Sequence, residues 1–401
     1  MFIFLLVLFL PTQLAKHFWP ELAFLWGIRV DYLSPTIYFS EVLLLSLIIA
    51  NIKNLKKWLR PAYWWLVVFA GLNILLADNP LVSAIKWWKL AELFLLVLII
   101  SKTKVNLKKA VFLPLLISLT VVSLLALAQF LRGATLGGVF YYLGERTFSK
   151  TTVGISLLSI FGREFLRPYS TFSHPNSLAG YLLVGTCLLL AFKPKLLRWK
   201  RYLPILLLII IAFVLTASRG AFVAGLLLFI IFFLKNWNST CFRRSVLAIY
   251  SLTIMSSLTI LFLSNCKLQQ ITNPRINERI SLVNIASRVV EEHPVFGVGV
   301  NNFLLEIPKR TPSLKTGWLL QPVHNIFLLC LAEAGVVGLV LICCWLLKAI
   351  GVGLEKNNTF LILAVLGIII SGTLDHYWLT LWQNMLLLAL TLGLTFRKQL
   401  S

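Results

Sequence analysis

The sequence predicts an all-α, polytopic membrane protein with about twelve transmembrane helices in one integral domain spanning residues 1–401. Three observations carry that expectation. Of the 401 residues, 59% are hydrophobic and only 13% are charged, against roughly 25% charged in ordinary soluble domains. Apolar runs of about 15 to 22 residues recur between short charged clusters, close to the ~20 residues a helix needs to cross ~30 Å of hydrocarbon. Basic residues gather in alternate loops: Lys53, Lys56, Lys57 and Arg60; Lys102, Lys104, Lys108 and Lys109; Lys193, Lys195, Arg198, Lys200 and Arg201; Lys235, Arg243 and Arg244. Lys348, Lys356, Arg397 and Lys398 complete the pattern. Short loops rich in Lys and Arg stay on the cytoplasmic side. The net charge of +23 therefore reads as an orientation signal and an attraction to membrane lipids, and no nucleic-acid partner is expected.

The expected spans are roughly 1–15, 34–50, 62–78, 81–100, 110–131, 176–192, 203–217, 219–234, 245–263, 324–347, 358–373 and 378–396. They place both termini on the cytoplasmic side. The first run, MFIFLLVLFLPTQLA, lacks a basic leader and an A-x-A cleavage site, so it reads as a retained helix. Two tight exterior turns follow from Asp78-Asn79-Pro80 and Ala217-Ser218-Arg219-Gly220. Residues 132–175 form one exterior loop and residues 264–323 a larger one. In the larger loop Ile276, Ile280, Val283, Ser287 and Val290 keep helical spacing, which predicts an amphipathic helix over the membrane mouth. His293-Pro294 should end that helix, and GVGVNN should supply a flexible corner. The six cysteines show no disulfide framework and no CxxC spacing.

Several exterior residues could carry chemistry. Arg219 lies between apolar runs at the start of a helix, where a guanidinium and free N–H groups together could hold a phosphate; a snorkelling arginine is the plainer alternative. Arg279 sits on the amphipathic helix with Arg275 and Arg288 as competitors, and alone it reads as a solvated charge. Arg167 and Asn176, in RPYSTFSHPN, could contact substrate or simply cap the next span. His324 and Asn325 stand at the mouth of an apolar run, and a histidine there could accept a hydroxyl proton near neutral pH. Asp375 and His376 mark the last exterior turn and could orient another group, while Glu333 reads as a polar tether between helices. The outer side lacks HExxH, H-x-x-H and dense carboxylates, and no P-loop occurs, so no metal site and no cofactor are expected.

His324-Asn325 followed by nine residues and then GVVG resembles the signature of the O-antigen ligase and O-antigen polymerase superfamily. RPYSTFSHPNSLAGYL, LTASRGAFVAGL, the run from Arg279 to EEHPVFGVGVNNF, and LDHYWLTLWQNMLLLAL resemble its other blocks, in the same order. The resemblance implies a GT-C-like, metal-independent membrane glycosyltransferase. Its donor would be an undecaprenyl-diphosphate-linked glycan, used on the outer face of the cytoplasmic membrane, with a lipid, glycan or protein acceptor. It also implies roles for Arg219 and Arg279 on the diphosphate and for His324 beside the reacting hydroxyl. Ligase, polymerase and protein O-oligosaccharyltransferase share these blocks, with ligase favoured by HN-x9-GxxG, and a lipid or glycan transporter is the alternative of another class. The glycine tail of that motif should mark close helix packing beneath the site.

Overall fold

The computed structural model describes residues 1–192, 199–235, 274–311 and 319–399. The described chain is predominantly helical. The helices are α1 (Phe2–Leu8), α2 (Phe39–Ala50), α3 (Ile52–Trp58), α4 (Trp64–Leu75), α5 (Pro80–Lys102), α6 (Leu113–Arg132), α7 (Pro175–Ala191), α8 (Trp199–Leu215), α9 (Arg219–Lys235), α10 (Pro274–Glu292), α11 (Phe303–Arg310), α12 (Ile326–Glu355), α13 (Thr359–Gly372), α14 (Tyr377–Thr380) and α15 (Trp382–Phe396). Among the described residues, Lys108–Arg132 and Ile326–Glu355 are long and apolar enough to cross a membrane by length and composition, and shorter apolar helices accompany them. The expected span at 245–263 lies outside the described residues.

The bundle is organised around α7, most of whose side chains are buried. Helix α13 packs along it, and α6, α8, α9 and α15 also touch it. Helix α15 lies against α5. Asn79 starts α5 by accepting the N–H groups of Leu81 (3.2 Å) and Val82 (3.3 Å), so the Asp78-Asn79-Pro80 turn forms as its chemistry predicts.

The first expected span is corrected. Helix α1 stops at Leu8, and at 1.5 Å per residue its length is only roughly 10 Å. Pro11 cannot continue the helix; its carbonyl accepts from Thr171 Oγ1 at 2.6 Å, while Thr12 Oγ1 donates to Leu143 O at 2.8 Å. The chain then forms β1 (Ala15–His17), β2 (Phe24–Leu25), β3 (Ile28–Arg29) and β4 (Thr36–Tyr38). Strands β1 and β4 pair antiparallel with His17 opposite Thr36, and β2 pairs with β3. In the loop over 132–175, β5 (Leu157–Ile160) and β6 (Arg163–Leu166) make a third ribbon. Glu145 pins this loop by accepting from Gln129 Nε2 (2.7 Å), Leu136 N (2.8 Å) and Gly137 N (2.7 Å).

The amphipathic helix exists as α10, but its buried face differs from the expected one. Leu282, Ile285, Ala286 and Val289 are buried, whereas Ile280 and Val283 are exposed. Both stripes satisfy the 3.6-residue period. The stripe with Ala286 turns inward and packs against α12, where a small side chain allows close approach.

The GVGVNN corner is also corrected, because it is pinned. Asn73, buried in α4, donates through Nδ2 to Phe296 O (2.8 Å) and Glu333 O (3.1 Å). Its Oδ1 accepts from Val300 N (3.0 Å) and Trp87 Nε1 (2.8 Å). Asn302 donates to Ser83 Oγ at 2.8 Å and accepts from Asn79 N at 2.8 Å. This loop wedges into α12 at Gly335, which has φ 65° and ψ −169° inside the helix. Val336 N donates to Pro294 O at 2.8 Å, so the loop backbone replaces the interrupted helical ladder. The glycine tail therefore serves close packing, but against a loop backbone. Glu333 accepts from Phe303 N at 3.4 Å, tethering α11 to α12.

Candidate active site

A cavity of about 240 Å³ opens between the N-terminal ribbons, α5 and the turns that precede α7, α12 and α15. His324, Asp375 and His376 line it, although they come from two separate connections. Asn325 fixes the first: its Oδ1 accepts the N–H groups of Phe327 (2.9 Å) and Leu328 (3.0 Å), capping α12 and holding the preceding histidine at the helix mouth. The second is the tight turn between α13 and α14.

Asp375 is the hub. His324 Nδ1 is 3.3 Å from Asp375 Oδ1, which also accepts His376 N at 2.8 Å. Asp375 Oδ2 accepts Asn176 Nδ2 at 2.8 Å. Asn176 Oδ1 in turn accepts Arg167 Nη2 at 2.8 Å, and Arg167 Nε donates to Thr216 O at 2.6 Å, just before the turn carrying Arg219. Burial pushes the Asp375 carboxyl up, but the His324 hydrogen bond, and the pull of the His376, His324 and His174 rings whenever these are protonated, outweigh it and hold it well below the usual carboxylate range. Asp375 is thus an anion at neutral pH. With Nδ1–H assigned to His324 by this partner, Nε2 is left as the acceptor.

His376 is placed differently. Its Nδ1 is 2.7 Å from Thr380 Oγ1, which donates to His376 O at 3.1 Å, so Nδ1 carries the proton. Burial pushes His376 down to about 4, against the attraction of Asp375 and with help from the His324, Arg279 and Lys86 charges. His174 is pushed down to about 3, by burial first and then by Arg167. Both imidazoles are neutral at pH 7. Above about pH 6.5 the folded and unfolded chains agree in leaving them uncharged; as pH falls from 6.5 towards about 4, the unfolded chain takes up protons that these sites refuse, and stability is lost. The thermal midpoint in detergent is expected to fall through that window, with a shallower slope in His376→Asn. A wild-type midpoint flat from pH 6.5 to 4 would contradict the neutral assignments.

Of the sequence-predicted residues, His324, Asp375 and His376 line the cavity, while Arg167, Asn176 and Asn325 stand behind its wall. Arg219, the first residue of α9, and Arg279, on α10, are exposed and do not line it. Arg279 is near enough to influence the charge of His376. Sequence reasoning missed Lys86 and Lys89, one helical turn apart in α5. Lys86 Nζ donates to Leu379 O at 2.7 Å, and Lys89 pairs with Glu41 at 2.6 Å. Two lysines inside an otherwise apolar span were the available signal. Arg146 lines the same cavity from the loop over 132–175.

His324, Asp375 and His376 also bring one ligand-capable atom each within 4.8 Å of one another. Such a trio could hold a divalent cation. With Nδ1–H on Thr380, His376 keeps Nε2 open to such an ion, but both Asp375 oxygens already accept N–H donors and Oδ1 also faces His324 Nδ1, an arrangement that favours a proton relay. Excess EDTA is expected to leave activity undiminished; loss under chelation with recovery on adding Zn²⁺ or Mn²⁺ would reverse that reading.

A helical membrane-type bundle with a His–Asp pair in a polar cavity is the class that fold and site define. Residues 204–343 match the family model described as O-Antigen ligase. The chain is similar to the General O-oligosaccharyltransferase of Acinetobacter baylyi (strain ATCC 33305 / BD413 / ADP1), 28% identical over 205 residues, covering 45% of this chain. The match spans 36% of that relative's length. Together these findings support the O-antigen ligase superfamily for this chain.

Proposed function

We propose that this protein is an O-antigen ligase-like membrane glycosyltransferase moving a glycan from undecaprenyl diphosphate to an acceptor hydroxyl, without a metal and with inversion. The observation that carries the reading is the His324–Asp375 pair at the cavity, with Nε2 of His324 left as a base. The acceptor oxygen attacks the anomeric carbon as its proton passes to His324 Nε2; the bond from that carbon to the diphosphate oxygen breaks, and the electron pair leaves on the diphosphate. Asp375 stabilises the imidazolium that forms, while Asn176 and Arg167 act as positioning residues for Asp375. Arg219 and Arg279 neutralise the leaving group, which is the larger electrostatic contribution. About twelve spans, both termini cytoplasmic and a site on the outer face of the cytoplasmic membrane belong to the same proposal.

Arg219→Ala and Arg279→Ala are expected to lower turnover by about 10²–10³-fold each, with protein abundance unchanged. The assay is glycan transfer in vesicles carrying a defined lipid-linked donor. Full transfer by either variant would remove that arginine from the mechanism. Protein O-oligosaccharyl transfer is a second reading, favoured by the Acinetobacter relative. A transporter is the reading that Lys86 and Lys89 would favour, as cations at membrane depth. Lys89, though, is paired with Glu41 and Lys86 is anchored on a backbone carbonyl. Donor moved across the bilayer unchanged would mean transport; glycan on a new acceptor means transfer.

A further inference from the structure

The His324–Asp375–His376 trio contains a nitrogen that the transfer chemistry leaves idle. His376 donates Nδ1–H to Thr380 Oγ1 at 2.7 Å, and its Nε2 lies 3.9 Å from Asp375 Oδ1. His324 Nδ1 lies 3.3 Å from the same oxygen. The two imidazoles sit side by side, with centroids 5.1 Å apart at 37°. Two ring nitrogens from separate connections therefore converge on one carboxylate oxygen, and one ligand-capable atom of each residue falls within 4.8 Å of the others.

These spacings suit a tetrahedral cation. Zn²⁺ holds imidazole nitrogen and carboxylate oxygen at about 2.0–2.2 Å, which puts neighbouring ligand atoms roughly 3.3 Å apart. The His324–Asp375 gap already has that spacing, and the His376–Asp375 gap is slightly wider. The outer contacts are in place too. A metal-bound histidine ordinarily donates its other N–H, and a metal-bound carboxylate is itself hydrogen-bonded; His376 has Thr380, and Asp375 Oδ2 has Asn176 Nδ2 at 2.8 Å. The cavity of about 240 Å³ that the trio lines has room for a water as fourth ligand. Lys86 and Arg146 line the same cavity and oppose any cation by charge. With a single carboxylate, the site selects an ion bound through imidazole over Mg²⁺ or Ca²⁺, which need oxygen-rich surroundings.

We propose that the trio is an inhibitory Zn²⁺ site, which converts the resting proton relay into a blocked state. The ion takes the place of the His324 Nδ1 proton, between Nδ1 and Asp375 Oδ1, with His376 Nε2 as third ligand. The displaced proton moves to His324 Nε2, so the imidazole stays neutral and the proton count is unchanged. Nε2 is then a donor, and no base faces the acceptor hydroxyl. The loss of rate rests on the glycan-transfer reading above; metal binding does not.

The test reads binding and rate separately. Tag-free, full-length protein in detergent micelles is titrated with Co²⁺, followed by its visible d–d absorption, and then with Zn²⁺ as competitor. Transfer is measured in vesicles carrying the lipid-linked donor, each variant against its own metal-free rate. Co²⁺ is expected to bind in tetrahedral form and to be displaced by Zn²⁺. Saturating Zn²⁺ should lower transfer by about 10²-fold or more, the scale of the general base it blocks, with recovery on excess EDTA and no effect of millimolar Mg²⁺ or Ca²⁺. In His376→Asn the amide stands where Nδ1 stood, keeping the Thr380 contact while Nε2 is lost. That variant should raise the half-inhibitory Zn²⁺ concentration by more than about tenfold, the lower end of what losing an outer-shell partner costs. His293→Gln, at an exposed histidine away from the cavity, should change neither readout. X-ray absorption at the zinc edge of the wild-type protein needs no variant and should show two imidazoles without sulfur. A sulfur-containing shell, inhibition and Co²⁺ absorption that ignore His376→Asn, or faster transfer with Zn²⁺ would each overturn the site. Zn²⁺ without effect on an active enzyme overturns the inhibitory role and leaves the transfer reading standing. A donor that stays intact with every acceptor offered marks failure of the transfer reading instead; the inhibitory role falls with it, while Co²⁺ binding lost in His376→Asn still upholds the metal site.

Discussion

Replacing His324 by alanine is expected to cut glycan transfer by about 10²–10⁴-fold, the usual contribution of a positioned general base. The histidine is half-buried at the cavity, and its Nδ1 faces a carboxylate held ionised by three N–H donors from His324, His376 and Asn176. On the proposed mechanism, removing the imidazole leaves the acceptor hydroxyl to lose its proton to water, while the groups proposed to hold the donor diphosphate are untouched. The loss should therefore fall on turnover more than on donor affinity. Asp375→Asn separates the two members of the pair. The amide that replaces the carboxylate cannot stabilise an imidazolium as an anion does, so transfer should drop by a similar order while its remaining oxygen still accepts one N–H. Rates at saturating donor, normalised to membrane-inserted protein, decide the matter; a His324→Ala variant with wild-type turnover would sink the base assignment.

The second large effect is structural. Gly335→Ala is expected to lower the yield of folded protein and its thermal midpoint in detergent, by about 3–5 kcal/mol in free energy. With φ 65° and ψ −169°, Gly335 occupies a region that is essentially closed to other residues. An added Cβ would also lie 2.0 Å from Val295 O and 2.2 Å from Val295 C, both backbone atoms that Asn73 and the α12 ladder hold in place. Gly351, in the same helix, is the control. A Cβ there meets nothing within 4 Å, so Gly351→Ala should be neutral or stabilising by up to about 1 kcal/mol. Equal midpoints for the two variants would show that the Gly335 break is not required.

Most helices were legible because each apolar run reports its own length, and α13 falls within a residue of the expected 358–373. Periodicity was a poorer guide to direction: two apolar stripes on α10 fit the same period, and only the tertiary contact with α12 selects Leu282 and Val289 over Ile280 and Val283. His324 and Asp375 were each visible as polar residues at the ends of apolar runs. Their pairing was not, since it depends on two connections meeting across 51 positions of chain. Arg167 and Asn176 were visible as polar groups before a span, but the hydrogen bonds that link them to each other and to Asp375 were not. The N-terminal ribbons escaped notice because two- and three-residue strands leave no alternation to read, and they are shaped by long-range partners such as Ser34 Oγ donating to Phe18 O at 2.7 Å.

The cavity draws its wall from segments far apart in the chain: Gln13 and His17 on one side, Asp375, His376 and Trp382 on the other. Trp382 Nε1 donates to Ser40 Oγ at 3.1 Å across 342 positions. A nascent chain emerges from its N-terminus, so Gln13 and His17 must wait, with their wall unbuilt, through the insertion of every intervening helix. The wall around His324 and Asp375 therefore closes only once the stretch carrying Trp382 has been made, so a chain halted before that residue lacks one side of the cavity.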